Sequence, residues 1–250
     1  MNTIFNIIIN SKDAPFSSGY PVSGIKKQIY SEQVAEYIKQ CILEGKLSPG
    51  DPVKEVMLAK KLGISRAPIR EALQILAREG LIHSEPQKEK YVSALTSKQI
   101  VDSYFTGAVL EAAAVSQALE FYTDEDISNL EKVVQEMHLV VESKKPTESL
   151  TALDSTFHNI LFSRIDNDLL IDLCRRSCQG ISKFLLYKHW INLYSPQQVY
   201  DRHLIILEAI KSGKPNKLEK TIRKHYTDSG ERMSRYGVDV IDTQIEKQVR

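Results

Sequence analysis

Two sets of side chains in this 250-residue chain have types and spacings suited to chemistry. The first is Arg66 and Arg70, near the start of the stretch "SRAPIREALQILAREG". Residues four apart on a helix share a face. An arginine on such a face can fork two hydrogen bonds to guanine O6 and N7, or neutralise a phosphate. The second set begins with Asp154 and His158 in "DSTFH", again four apart, and is followed far downstream by His203 and His225. Carboxylate and imidazole are oxygen and nitrogen donors suited to a divalent metal such as Zn, Ni, Mn or Fe. Spacing alone does not join His203 and His225 to the Asp–His pair, and an isolated histidine is more often a surface or hydrogen-bonded core residue. His83, His138 and His189 have no comparable setting. Cys174 and Cys178 share a helix face, but a single C-x-x-x-C is more often an ordinary pair of thiols than a metal site.

Positioning the arginines requires a helix that starts just before them. Ser65 is an N-cap residue, Pro68 falls in the first turn where its missing N–H does no harm, and Gly80 ends the helix. Ile69, Ala72, Leu73 and Leu76 form its apolar face, opposite Arg66 and Arg70. Upstream, Ile29, Val34, Ile38, Ile42 and Leu43 define an amphipathic helix that ends near Gly45. "LSPGD" is a turn, and a short helix over 55–62 closes at Gly63. Downstream the period shortens from helical to alternating: 81–85 and 90–95 predict a two-stranded hairpin. Helix, short helix, turn, longer helix and hairpin make a winged helix-turn-helix, whose second paired helix enters the major groove. The N–H groups around Ser65 can then hold a phosphate at the positive helix end.

From Thr96 onward only helical patterns follow. "TSKQ" is a capping-box sequence and marks a boundary. Helices are expected over 97–121, 124–143, 148–163, 168–188, 196–212 and 216–235, the fifth started by "SPQQ" and stopped by Gly213. The fold class is therefore mainly α: a winged helix-turn-helix with a small β-hairpin, then an all-α bundle. The expected divisions are a loose arm over 1–24, a DNA-binding domain over 25–95, a helical domain over 96–240 and a tail over 241–250. Three helices of the bundle can bring Asp154, His158, His203 and His225 to one point, as metal-binding bundles do.

Bulk properties agree with a globular chain. The net charge is +1, so no global field points to nucleic acid or membrane. The three cysteines argue for a reducing compartment, not a disulfide framework. The short N-terminal apolar run lacks a basic flank and a cleavage site, and no run is long enough to span a bilayer, so the expected location is the cytoplasm.

The stretch "LSPGDPVKEVMLAKKLGISRAPIREALQILAREGLI" resembles the N-terminal domain of GntR-family bacterial transcription regulators, with "SRAPIREAL" as its most specific core. The resemblance implies that Ser65, Arg66 and Arg70 contact operator DNA. The helical remainder resembles the FCD effector domain of the FadR subfamily. There "DSTFH", "HLIILEAIKSGK" and "RKHY" imply a metal site made by Asp154, His158, His203 and His225.

Two positions depart from the family pattern. Glu89 stands where a wing-tip glycine is expected and would repel phosphate, with Lys88 and Lys90 on either side to compensate. Gly107 stands where members carry an arginine that faces the ligand cavity and can pair with a carboxylate. Its absence leaves room for a larger or less acidic ligand, or moves the charge to another residue, for which Arg175, Arg176 and Lys183 are the candidates.

The leading expectation is a homodimeric, non-enzymatic regulator, a repressor whose affinity for double-stranded operator DNA responds to a small metabolite, a carboxylate, bound at the metal. Two alternatives stand beside it. One is a regulator that senses the metal itself, with no organic effector. The other is a metal-dependent hydrolase or lyase fused to a DNA-binding module, although no nucleophile elbow and no H-E-x-x-H accompany the ligands.

Overall fold

The computed structural model describes residues 30–84, 89–177 and 182–240. The N-terminal unit comprises α1 (Tyr30–Leu43), α2 (Glu55–Leu62), α3 (Arg66–Arg78) and a hairpin of β1 (Ile82–His83) and β2 (Tyr91–Val92). The strands pair antiparallel, Ile82 opposite Val92 and His83 opposite Tyr91, and Pro52 adds an isolated bridge to Tyr91. α1 packs across α3, and the two share a core of Val34, Ile38, Ile42, Ile69, Leu73 and Leu76, all buried. Between α2 and α3 the chain turns sharply at Gly63. Its φ of +66° is a left-handed conformation that a side chain would strain. Ser65 is the N-cap of α3 by its extended backbone, but its hydroxyl makes no capping bond.

The bundle holds α4 (Ser97–Ala118), α5 (Asp124–Glu142), α6 (Thr151–Phe162), α7 (Asp168–Arg176), α8 (Lys183–Leu185), α9 (Tyr187–Trp190), α10 (Pro196–Lys211) and α11 (Pro215–Met233). Local sequence sets several of their starts. Thr96 with Gln99, Thr123 with Asp126, and Ser195 with Gln198 each form reciprocal capping boxes at α4, α5 and α10. α4 and α11 make the most extensive helix contact, and Gly230 permits it: a Cβ there would stand 2.6 Å from Tyr104 Cβ. Replacing Gly230 with Ala would force those helices apart.

The single α-helix expected over 168–188 is not continuous, which corrects the sequence reading. α7 ends at Arg176, the backbone at Ser177 leaves α-helical geometry, Ser177 and Ser182 have π-helical pairing, and the short α8 and α9 follow. Ser177 Oγ donates back to the carbonyls of Leu173 and Cys174. The third bundle helix also begins at Thr151, behind a 3-10 turn over Thr147–Leu150. The expected arm over 1–24, Lys88, Cys178 and the tail over 241–250 lie outside the described residues.

α8 lies at the junction of the two units. Leu185 is buried in the N-terminal core with α1 and α3, whereas its neighbour Leu186 is buried in the bundle core. Phe184 also packs on the N-terminal core. At the same junction Ser97, at the start of α4, donates from its N–H and Oγ to Asp239 at 2.6 and 2.7 Å. No helix among the described residues is long and apolar enough to cross a membrane.

Candidate functional site

The first face is built on α3. Arg66 and Arg70 emerge from the side opposite Ile69 and Leu73, and both guanidinium chains are more than half exposed. They do not stand alone. Glu55, the first residue of α2, accepts from Arg66 Nη2 at 3.0 Å and Arg70 Nε at 2.9 Å through one oxygen. Its other oxygen accepts from Lys90 Nζ, on the residue before β2, at 2.8 Å. The Lys90 hydrogen bond, with those from Arg70 and Arg66, outweighs desolvation and holds the Glu55 carboxyl down at about 2. Lys90 is therefore tied inward. Glu89 lies 3.7 Å from Lys54 Nζ and accepts from the Tyr91 hydroxyl, so its charge is partly answered within the wing. Ser65 is exposed beside Arg66.

The second site lies inside the bundle. His158 on α6, His203 on α10 and His225 on α11 converge, each offering a ring nitrogen within 4.8 Å of the others. Two nitrogens bound to one zinc stand roughly 3.3–3.5 Å apart, so a small inward closure would make them co-ligands. Asp154, one turn before His158, places Oδ1 3.2 Å from His203 Nε2. Its Oδ2 accepts from Lys183 Nζ at 2.7 Å. The three expected histidine ligands are thus in one group, and Asp154 adjoins it through His203, with Phe157 edge-on to His203 as an apolar wall.

Each histidine is oriented differently. His158 Nδ1 lies 2.8 Å from Glu111 Oε1 on α4, leaving Nε2 for another partner. The Tyr226 hydroxyl donates to the second Glu111 oxygen. A carboxylate behind a histidine is the usual device for fixing the tautomer of a metal-ligating ring. His203 Nδ1 donates to the Val199 carbonyl at 2.7 Å, which leaves Nε2 to face the cluster. That nitrogen is buried, faces a carboxylate oxygen, and has no aligned hydrogen bond among the described residues. His225 Nδ1 is buried without a partner in the same set.

The electrostatics follow from burial and pairing. Burial would raise the Asp154 carboxyl, but Lys183, His203 and His158 together hold it well below the ordinary range. Burial would lower His158, and Glu111 outweighs that and raises it. Burial dominates at His225, with Arg202 adding to it, and keeps the ring neutral. Arg202 lies over the Tyr194 ring and donates to Ser229 Oγ and the His225 carbonyl, so it braces the backbone of that ligand.

The donors and the orphaned lone pairs fit a divalent cation. The three cationic candidates fare differently. Lys183 reaches the cluster directly and also sits 3.8 Å over the Trp190 ring. Arg175 turns to Asn159 and the Phe162 ring, and Arg176 to Asp172, so neither reaches it. Glu111 and Arg202 escaped the sequence reading. Glu111 had a usable signal: a lone carboxylate within the apolar run "AVLEAAAV", where burial without a partner is unfavourable.

Comparison with known proteins places this geometry. A model described as "Bacterial regulatory proteins, gntR family" matches residues 30–92, and one described as "FCD domain" matches residues 102–228. The HTH-type transcriptional repressor RspR of Escherichia coli K12 is 24% identical over 204 residues, covering 82% of this chain and 89% of that protein. The gluconate operon transcriptional repressor of Bacillus licheniformis is 25% identical over 213 residues, covering 84% and 87%. A solved structure of a GntR regulator from Rhodococcus sp. RHA1 has a TM-score of 0.61 at 20% identity, covering 81% of this chain and 96% of that one, which establishes the shared fold. The relatives bear the names of regulators, not of hydrolases or lyases. The chain belongs to the GntR family of DNA-binding transcription regulators, with an FCD domain behind its winged helix-turn-helix.

Proposed function

We propose that this regulator is a cytoplasmic, homodimeric repressor whose operator affinity is set by a small carboxylate bound at a divalent metal among Asp154, His158, His203 and His225. The observation that carries the metal is the convergence of His158, His203 and His225, whose ring nitrogens lie within 4.8 Å of one another, with Asp154 Oδ1 3.2 Å from His203 Nε2. Three imidazoles and a carboxylate are the nitrogen and oxygen donors that a divalent ion takes. A metal bound there supplies a Lewis-acidic anchor for an anionic ligand oxygen.

The protein's own groups do the rest. Glu111 and the Val199 carbonyl fix two imidazoles, and Arg202 braces the third. Lys183 is the cation that accompanies Asp154 and a ready partner for a carboxylate in place of the arginine absent at Gly107. The name of the B. licheniformis relative, a gluconate operon repressor, points to the same chemical class. DNA contacts fall to Ser65, Arg66 and Arg70, with Lys88 in the wing, while Lys90 is held back by Glu55.

The fold supports a route from this cluster to the DNA-binding unit. Lys183 holds Asp154, and two residues later Leu185 is buried in the core beneath α1 and α3. A ligand that takes Lys183 from Asp154 repositions α8, and with it the seat of the DNA-binding unit. Affinity for operator then differs between the two arrangements, a population shift with coupling of order 1–3 kcal/mol. Gly107 also favours a second reading, a regulator that answers to metal alone.

Metal analysis of the purified protein, beside DNA titrations with metal alone and with metal plus a panel of small carboxylates, tests both readings. The proposal expects close to one ion per chain, and a change in DNA affinity that needs metal and carboxylate together. A change with metal alone selects the second reading. A protein that takes up no divalent ion refutes both.

A further inference from the structure

The charge cluster at α2 and α3 holds three cations against one carboxylate, and the arrangement is specific. Arg66 gives Glu55 one Nη2 hydrogen, and Arg70 gives it Nε. A guanidinium has five N–H donors in a fixed fork. Among the described residues, Arg70 is held by its inner nitrogen and its two terminal nitrogens have no partner, and Arg66 has none at Nη1 and Nε. The Glu55 side chain is only 15% exposed, while the two arginine side chains are 52% and 57% exposed, so the carboxylate sits behind them and the free donors face solvent. Lys90 Nζ, on the wing, closes the other side of Glu55.

We infer that Glu55 is a specificity-determining residue: a buttress that aims Arg66 and Arg70 at base edges and withholds Lys90 from phosphate. Two consequences of the geometry lead there. Arginine carries large rotamer freedom, and a fixed contact at its inner end removes much of it before DNA arrives. Base readout needs that fixed aim, because a guanine pair must be met by two donors at once. Phosphate contact does not need it, since charge alone suffices and any rotamer will do. A carboxylate behind the arginines also cancels one of three positive charges and so weakens binding to every sequence. Glu55 therefore favours the preferred site and penalises the rest, the attractive and repulsive halves of discrimination.

Glu55→Gln tests this, because it keeps the shape and removes the charge. The preferred site is first selected from a random duplex pool with the unaltered protein, then bound by both proteins beside a scrambled duplex of equal length over a range of salt. For Glu55→Gln the ratio of preferred to scrambled affinity falls by about tenfold. Its affinity for the scrambled duplex rises, and its salt slope on that duplex steepens by about one unit, as one further neutralised phosphate requires. In the Arg66→Ala/Arg70→Ala background, adding Glu55→Gln leaves the ratio where it was. Thermal unfolding of each variant identifies loss of fold, and Glu55→Asp, which keeps the charge, then serves in place of Gln: it restores most of the ratio. An unchanged ratio and salt slope in folded Glu55→Gln overturns the inference. So does a Glu55 effect that persists without the two arginines. If the unaltered protein enriches no site at all, the failure lies in the placement of the reading face, not in Glu55.

Discussion

The arginine cluster at α3 and the histidine cluster in the bundle hold opposite kinds of incompleteness. At α3 the charges nearly satisfy one another: Glu55 accepts from Arg66, Arg70 and Lys90, and the surplus positive charge lies at the surface. Such a site awaits an anion and is stable without one. In the bundle, Asp154 has one cationic partner, but His203 Nε2 and His225 Nδ1 are buried acceptors or donors without partners among the described residues. Such a site leaves buried imidazole nitrogens open to the cation that the proposed function gives it. The contrast suits their tasks. A DNA-reading surface must fold before it meets DNA, whereas a sensing site is useful when its stability depends on what it senses.

The largest expected effect on this contrast comes from Lys183. Lys183→Met leaves Asp154 buried with no lysine beside it, so the metal-free protein loses on the order of 3 kcal/mol. The metal-loaded protein loses much less, because the ion takes over the charge. Chemical denaturation with and without metal measures both. An equal loss in the two states would show that Lys183 and the metal do not share Asp154.

Next come the arginines. Arg66→Ala or Arg70→Ala weakens binding to the preferred site by about 1–3 kcal/mol and relaxes sequence preference at one position. Stability barely moves, since the reading face is at the surface. Uniform loss on all sequences with a shallower salt slope would assign that arginine to phosphate.

Acid separates the clusters on a smaller scale. The Glu55 carboxyl is held at about 2, below the ordinary 4.5. Its stabilising contribution is thus present above about 4.5 and is lost as pH falls toward 2. Stability of the parent between those values should fall more steeply than that of Glu55→Gln. Parallel curves would mean the three cations do not hold Glu55 in solution. The smallest effect belongs to Glu89. Its charge is already met by Lys54, so Glu89→Gly tightens DNA binding by at most about 0.5 kcal/mol, regardless of sequence. A larger gain would place the wing closer to phosphate than this pairing suggests.

The two regions also differ in how far the sequence revealed them. The α2–α3 turn was legible because its signals are local: Gly63 for a left-handed turn, Ser65 at the cap position, and apolar spacing opposite Arg66 and Arg70. The convergence of three histidines was implied by family motifs, since residues on α6, α10 and α11 cannot be linked by spacing. Partners distant in sequence stayed hidden. Glu55 is 11 and 15 residues from its arginines, and Glu111 is 47 from His158. The end of α7 at Arg176 was not legible either, because apolar residues keep a helical period past it. Lys183 then reads as one more basic residue on a long helix, and its bond to Asp154 cannot be foreseen.

A metal in the bundle cluster is tested by the metal content of the parent and of His203→Ala after exposure to a divalent ion and removal of the excess, with the thermal midpoint of each. Close to one ion per parent chain is expected, little in the variant, and a midpoint that falls on chelation in the parent only. At a free metal level a hundredfold above its Kd, that loss corresponds to about 2.7 kcal/mol. Equal metal in both proteins, or a parent whose midpoint ignores chelation, would contradict it.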